Sequence, residues 1–234
     1  MSENIERRRF LKCLGVGSLI LAPMGCSSTK DSDAENKPHY VMVFDQNKCV
    51  GCGDCKLACN KANHLPEGEA KLKTEQQNGG IDGQKCAQCG QDNCECQRKY
   101  VRVSCQQCKN APCVAVCPTG AAHRDPDTDI VTMDDSKCAG CKYCIAACPY
   151  NARFINKDTD VADNCDFCLN SQLSKGEQPA CVQQCRYDAL IFGDANDPTS
   201  YVSRLLKVKD SVRIKSHLGT EPSLRYIPIV KLGV

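Results

Sequence analysis

Sixteen of the 22 cysteines fall into four blocks, and each block closes in Cys-x-x-x-Cys. The first block is Cys49, Cys52, Cys55 and Cys59; the second is Cys105, Cys108, Cys113 and Cys117, followed by Pro118. The third is Cys138, Cys141, Cys144 and Cys148, followed by Pro149. The fourth begins with Cys165 and Cys168 and resumes, after a 12-residue excursion, with Cys181 and Cys185. Thiolates at this spacing suit one chemistry above others: a Cys-x-x-Cys-x-x-Cys loop can hand three sulfurs to a four-iron cube, whose fourth corner must be reached from elsewhere in the chain. Four blocks of four predict four [4Fe-4S] clusters and one-electron transfer.

In two-cluster proteins of this kind the last cysteine of each run ligates the other cluster. Blocks two and three, both closing in Cys-Pro, form one couple, which leaves blocks one and four as the other. The predicted ligand sets are Cys49, Cys52, Cys55 and Cys185; Cys165, Cys168, Cys181 and Cys59; Cys105, Cys108, Cys113 and Cys148; and Cys138, Cys141, Cys144 and Cys117. A secreted disulfide framework is the commonest rival for so many cysteines, but it does not ask for a repeated triplet with a closing proline. Zinc sites take four ligands as two pairs, which three cysteines per loop do not match.

The elements that must position these loops also repeat. Alanine stands four residues past the last cysteine in three blocks, at Ala121, Ala152 and Ala189, where block one has Asn63. Short β-rich runs precede three blocks (Tyr40 to Phe44, Lys99 to Val103, Ile130 to Met133), and Leu190 to Phe192 follows the fourth. Each unit reads strand, cysteine loop, short helix, strand. Helices such as Cys144-Ile-Ala-Ala-Cys148 must be small-sided, because a cluster fills the space where leucines would pack. Gly51, Gly53 and Gly140 suit backbone that turns tightly and aims N–H groups at sulfur. The predicted class is α+β: tandem bacterial-ferredoxin-like repeats forming two pseudo-twofold two-cluster modules. An insertion at about 60–97 and a C-terminal extension at about 193–234 are added to them.

The insertion carries Cys86, Cys89, Cys94 and Cys96, which could hold a further metal centre or form two disulfides. With 5 Phe, 7 Tyr and no Trp the apolar supply is thin, so clusters must replace part of the core. A net charge of +2 gives no reason to expect nucleic acid, and no apolar run is long enough to span a bilayer. No phosphate loop or paired-carboxylate pattern is present, and His39, His64, His123 and His217 are scattered, so no enzyme activity of its own is expected. In the extension, five basic residues between Arg204 and Lys215 face Asp210 alone, while Val202, Leu205, Leu206 and Val208 form an apolar stripe. Two readings stay open there, a docking surface for an acidic haem protein and an ordinary solvated helix.

Residues 1–26 read as a leader: Glu6-Arg-Arg-Arg-Phe-Leu-Lys12 precedes a short apolar stretch and resembles a twin-arginine signal. Such leaders export folded, cofactor-loaded proteins, so the resemblance implies a periplasmic location. Pro23-Met-Gly-Cys26 resembles a lipoprotein cleavage site with proline in place of the usual leucine. Residues 27–38 would then be a tether from a lipidated Cys26; otherwise the leader is cut nearby or stays as an anchor. The main domain runs over 39–234.

The four-block order and the runs Cys141-Lys-Tyr-Cys-Ile-Ala-Ala-Cys-Pro-Tyr150, Ala162-Asp-Asn-Cys-Asp-Phe-Cys168 and Pro179-Ala-Cys-Val182 resemble the four-cluster ferredoxin subunits of bacterial respiratory reductases. Those include the electron-transfer subunits of dimethyl sulfoxide, tetrathionate and polysulfide reductases. The leader, Arg153-Phe-Ile155 and Leu218 to Pro228 resemble the exported iron-sulfur proteins of formate-dependent nitrite reductase systems. The resemblance implies two partners, a membrane quinol-oxidising subunit and a terminal reductase, and the same pairing of blocks. Arg186 departs from it, standing where many of those proteins have proline, as does the cysteine-bearing insertion. The insertion leaves open a sister system ending in a multihaem sulfite reductase or a molybdenum enzyme for tetrathionate, polysulfide or thiosulfate.

Overall fold

Every cysteine block opens with the same backbone reversal, and the rest of the fold is arranged around it. The residue before the second cysteine is left-handed in all four blocks: Gly51 (φ 75°), Gln107 (φ 48°), Gly140 (φ 63°) and Phe167 (φ 56°). Three residues past the last cysteine a second left-handed position recurs at Gly120, Asn151 and Asp188, each followed by one of the buried alanines Ala121, Ala152 and Ala189. L-residues enter this region at a cost. Its return at matching places therefore records a shared demand on the loops.

The computed structural model describes residues 37–78 and 98–229. In chain order the elements are β1 (Tyr40–Asp45), α1 (Asp54–Ala62), β2 (Leu72–Asn78), β3 (Arg98–Ser104), α2 (Pro112–Ala115), β4 (Ala122–Arg124), β5 (Val131–Met133), α3 (Tyr143–Ala146), β6 (Phe154–Ile155), β7 (Ala162–Asp163), α4 (Ala180–Gln183), β8 (Leu190–Asp194), α5 (Tyr201–Val208) and β9 (Leu224–Ile227). The architecture mixes short helices with small sheets. All four β-rich runs read from the sequence are strands, as parts of β1, β3, β5 and β8.

The strands pair so as to fold the blocks onto one another. β1, leading into block one, pairs antiparallel with β8, leading out of block four, with Phe44 opposite Leu190. On its other edge β1 pairs parallel with β9, Phe44 opposite Tyr226. The β4–β5 hairpin joins block two to block three, and β6–β7 joins block three to block four. The helices follow suit: α1 packs on α4 and α2 on α3.

β1 is covered on both faces. Met42 and Phe44 join the cysteine-rich core with Leu190, Leu224 and Tyr226, while Val41 and Val43 pack with Val202, Leu205, Leu206 and Ile227. Val202, Leu205 and Leu206 of that apolar stripe thus seat α5 on the back of the central sheet, while Val208 is exposed. That favours the ordinary helix over a docking face built from those side chains.

The first part of the insertion forms regular structure. α1 runs on through Ala62, and β2 pairs with β3 over seven residues, Leu72 opposite Ser104 through Asn78 opposite Arg98. Asn60 Nδ2 donates to Glu69 O at 2.9 Å, Lys157 N donates to Glu69 Oε1 at 3.0 Å, and Lys71 pairs with Asp163 at 3.1 Å. This part of the insertion is therefore tied to the hairpin before block four. Cys86, Cys89, Cys94 and Cys96, the leader with Cys26, and most of the linker lie outside the described residues.

Candidate metal centre

All sixteen block cysteines are free thiols. Cys49, Cys52, Cys55 and Cys185 line one cavity, walled by Phe44, Gly51, Thr74, Ala189 and Leu190 among others. Cys59 leaves its own block: burial first, then the neighbouring sulfurs of Cys165, Cys181 and Cys168, push its thiol far above the usual range. In the other half, burial takes Cys108 up to about 11, opposed by a hydrogen bond from Thr220 and reinforced by Cys113 and Cys148. Burial likewise raises Cys144, where Arg153 opposes the rise and the sulfurs of Cys113 and Cys117 add to it. Cys185 thus stands with Cys49, Cys52 and Cys55, and Cys59 with Cys165, Cys168 and Cys181, while Cys148 lies near Cys108 and Cys117 near Cys144.

The quartets also neighbour one another in a fixed order. Cys55 of the first faces Cys181 of the second, Cys165 of the second faces Cys105 of the third, and Cys113 of the third faces Cys144 of the fourth. Cys52 and Cys141, in the two outer quartets, are exposed. Cys59, Cys165, Cys168 and Cys181 of the second are all buried, as are Cys105, Cys108 and Cys113 of the third.

Such crowded sulfur needs a cation. Burial raises both Cys105 and Cys165 to about 12 although Arg153 beside the first and Arg102 beside the second oppose it, so ionisation there calls for further positive charge such as iron would supply. Polar groups able to donate reach several of the sulfurs. Asn63 Nδ2 lies 3.6 Å from Cys59 Sγ and 3.9 Å from Cys168 Sγ; Ala122 N lies 3.3 Å from Cys117 Sγ; Thr74 Oγ1 lies 3.8 Å from Cys55 Sγ. Burial works against ionisation of Cys117, but the Ala122 bond and contacts at Thr119 outweigh it and leave that thiol below its ordinary range. Among the described residues no three His, Cys, Asp or Glu side chains converge as a single ion requires. Quartets of thiols set around a space and surrounded by N–H donors fit a cluster of metal and sulfide better than one zinc ion.

Two arginines unmarked by the cysteine spacing belong to the same site. Arg102 is 1% exposed, and its Nη1 and Nη2 lie 3.4 Å from Cys181 Sγ and 3.8 Å from Cys165 Sγ, with Nε on Ser104 Oγ at 2.9 Å. Arg153, also buried, gives Nη1 to Met133 Sδ at 2.8 Å and faces Cys113, Cys105 and Cys144. The signal for Arg102 was a charged residue on the inward phase of a strand, two residues before buried Ser104. Arg186 pairs with Asp54 at 2.8 Å and so links the turn after block four to the first turn of α1. His39 contacts Ser223 Oγ at 3.3 Å and His123 contacts Ala121 O at 3.0 Å, while His64 and His217 are exposed.

The 4Fe-4S dicluster domain family matches this chain over residues 96–195, a span that takes in blocks two, three and four. The chain is 42% identical over 225 residues to the protein NrfC homolog of Haemophilus influenzae, covering 95% of each. It belongs to the NrfC-like family of 4Fe-4S ferredoxin proteins. It is also 41% identical over 226 residues to protein NrfC of Escherichia coli strain K12, again 95% of each, and 41% identical over 195 residues to the B subunit of polysulfide reductase from Wolinella succinogenes. The latter match covers 83% of this protein and 97% of that subunit.

Proposed function

We propose that this NrfC-like chain is an iron-sulfur electron-transfer subunit holding four [4Fe-4S] clusters in two pseudo-twofold modules of tandem bacterial-ferredoxin type. The observation that carries the reading is the crossing of the last cysteines, with Cys59 among the block-four sulfurs and Cys185 among those of block one. Cys148 near Cys108 and Cys117 near Cys144 support the same exchange between blocks two and three. The four sets named from the sequence are the ligands: Cys49, Cys52, Cys55, Cys185; Cys165, Cys168, Cys181, Cys59; Cys105, Cys108, Cys113, Cys148; Cys138, Cys141, Cys144, Cys117. Each bound cluster supplies a one-electron couple. The chain itself keeps these couples in a row, shields the inner two from water, and leaves Cys52 and Cys141 at the surface as the two ends.

The partners are a membrane quinol-oxidising subunit at one end and a terminal respiratory reductase of the multihaem type at the other. Export by the twin-arginine leader into the periplasm, with Cys26 as a lipid anchor, completes the proposal; mass spectrometry of the mature amino terminus tests that part. Likeness to the polysulfide reductase subunit supports a second reading, in which the terminal partner is a molybdenum enzyme for sulfur compounds. The partner that copurifies separates the two readings. Iron and acid-labile sulfide assays on anaerobically purified protein test the central claim: about sixteen of each per chain are expected, more if the insertion cysteines hold a further centre. Protein without iron overturns it.

A further inference from the structure

Arg102 and Arg153 have no structural reason to be where they are unless the groups beside them carry negative charge. A guanidinium taken out of water costs several kcal/mol, by order of magnitude, and is retained when paired and hydrogen-bonded. Among the described residues neither arginine forms an ion pair with a carboxylate. Nε and Nη2 of Arg153 are buried with no oxygen or nitrogen partner, and the thiols of Cys113 and Cys144 are what that guanidinium can bond to. What each arginine faces is sulfur, and their placements correspond. Arg102 bonds to Cys181 and Cys165 of the second quartet and senses Cys55 of the first. Arg153 senses Cys113 and Cys105 of the third quartet and Cys144 of the fourth. Each thus sits in the seam between an outer and an inner quartet, nearest the inner one.

We infer that Arg102 and Arg153 are potential-setting residues, fixed buried cations that make the two inner clusters easier to reduce than the two outer ones. The inference rests on the four-cluster reading above. A positive charge beside a cluster favours its more negative, reduced state, and in a water-poor seam that preference is weakly screened. Cys52 and Cys141 place the outer quartets against solvent, and the outer sulfurs that the arginines do reach, Cys55 and Cys144, act on them less strongly than the inner ones. The pattern makes the inner pair a shared low point in free energy for an electron entering from either end.

Redox titration of the full-length anaerobic protein, followed by electron paramagnetic resonance, tests this with R102Q, R153Q, R102K and R153K. Iron and sulfide are assayed on every sample. The glutamine variants should each lower one midpoint by about tenfold or more in the reduction constant, about 59 mV for a one-electron couple. The two midpoints should be different ones, and should be the two highest in the parent protein. The lysine variants should remain within about threefold of the parent, about 28 mV on the same scale. A parent protein without iron would sink the cluster reading instead. Full iron with unmoved midpoints, both variants shifting the same cluster, or shifts confined to the lowest potentials would overturn the inference. Loss of a cluster from either glutamine variant would overturn it too, since a residue that sets only potential is dispensable for assembly.

Discussion

At the scale of single residues, the crossing of Cys59 is the sharpest statement the fold makes, because sequence neighbours and spatial neighbours differ there. Cys59 is four residues from Cys55 but keeps company with Cys165, Cys168 and Cys181. The variants C59S and C181S should therefore weaken the same paramagnetic signal and C55S a different one, each removing up to about four iron atoms per chain. If C59S and C55S abolish one common signal, the crossing is wrong. The thiols were legible from sequence because ligand spacing is a local property. The donors that serve them were not. Arg102 reaches Cys181 from 79 positions away, and Asn63 reaches Cys168 from 105. No periodicity within a window records such pairings. Asn63 did leave a trace, as the one block lacking the shared alanine, and its amide now occupies that place with a bond to Cys59 O at 2.8 Å.

Among the elements, β9 holds the two halves of the molecule in register. Its parallel pairing with β1 sets Tyr226 edge-on to Phe44, ring centroids 6.0 Å apart, and Tyr226 Oη donates to Arg102 O at 2.7 Å. Gln106 Nε2 adds a bond to the same hydroxyl at 3.3 Å. The strand that carries the inner arginine is thereby fastened to the central sheet. Leu224, fully buried, anchors the strand in the core beside Met42. L224A should cost about 2–5 kcal/mol, read as a lower midpoint for the loss of visible absorbance on heating, with iron content unchanged at low temperature. A midpoint equal to the parent's would show that β9 is not part of the cooperative unit. β1, β3, β5 and β8 were readable as strands because apolar and β-branched residues cluster in them. β2 was not, since Leu72-Lys-Thr-Glu-Gln has a polar composition and depends on β3 for its pairing. β9 lay in an extension whose basic residues drew attention elsewhere. Two of those now have local roles, Lys209 near Asp45 at 3.7 Å and Lys215 bonded to Pro149 O at 2.5 Å.

For the whole molecule, the question is what fills its centre. Eight of the 28 buried apolar side chains among the described residues are cysteines and five more are alanines, so nearly half of this core has little volume of its own. Ala121, Ala122, Ala152, Ala162 and Ala189 sit beside the loops, where larger side chains would compete with a bound cluster for space. The remaining aromatic packing, Tyr40 on Phe192 and Phe167 against Phe192, lies along the β1–β8 side. Ligand binding that occurs only in the folded state is folding free energy, and here it would act at four places distributed through the chain. Anaerobic removal of iron with a strong chelator, thiols kept reduced, should therefore abolish cooperative unfolding and open the domain to protease. The β1–β8–β9 sheet should be the last part to lose amide protection, because β1 at its centre has apolar cover on both faces. Hydrogen exchange before and after chelation measures this directly. Native-like protection around α2 and α3 in iron-free protein would show that the polypeptide closes its own core, and the clusters would then be guests in the fold rather than its filling.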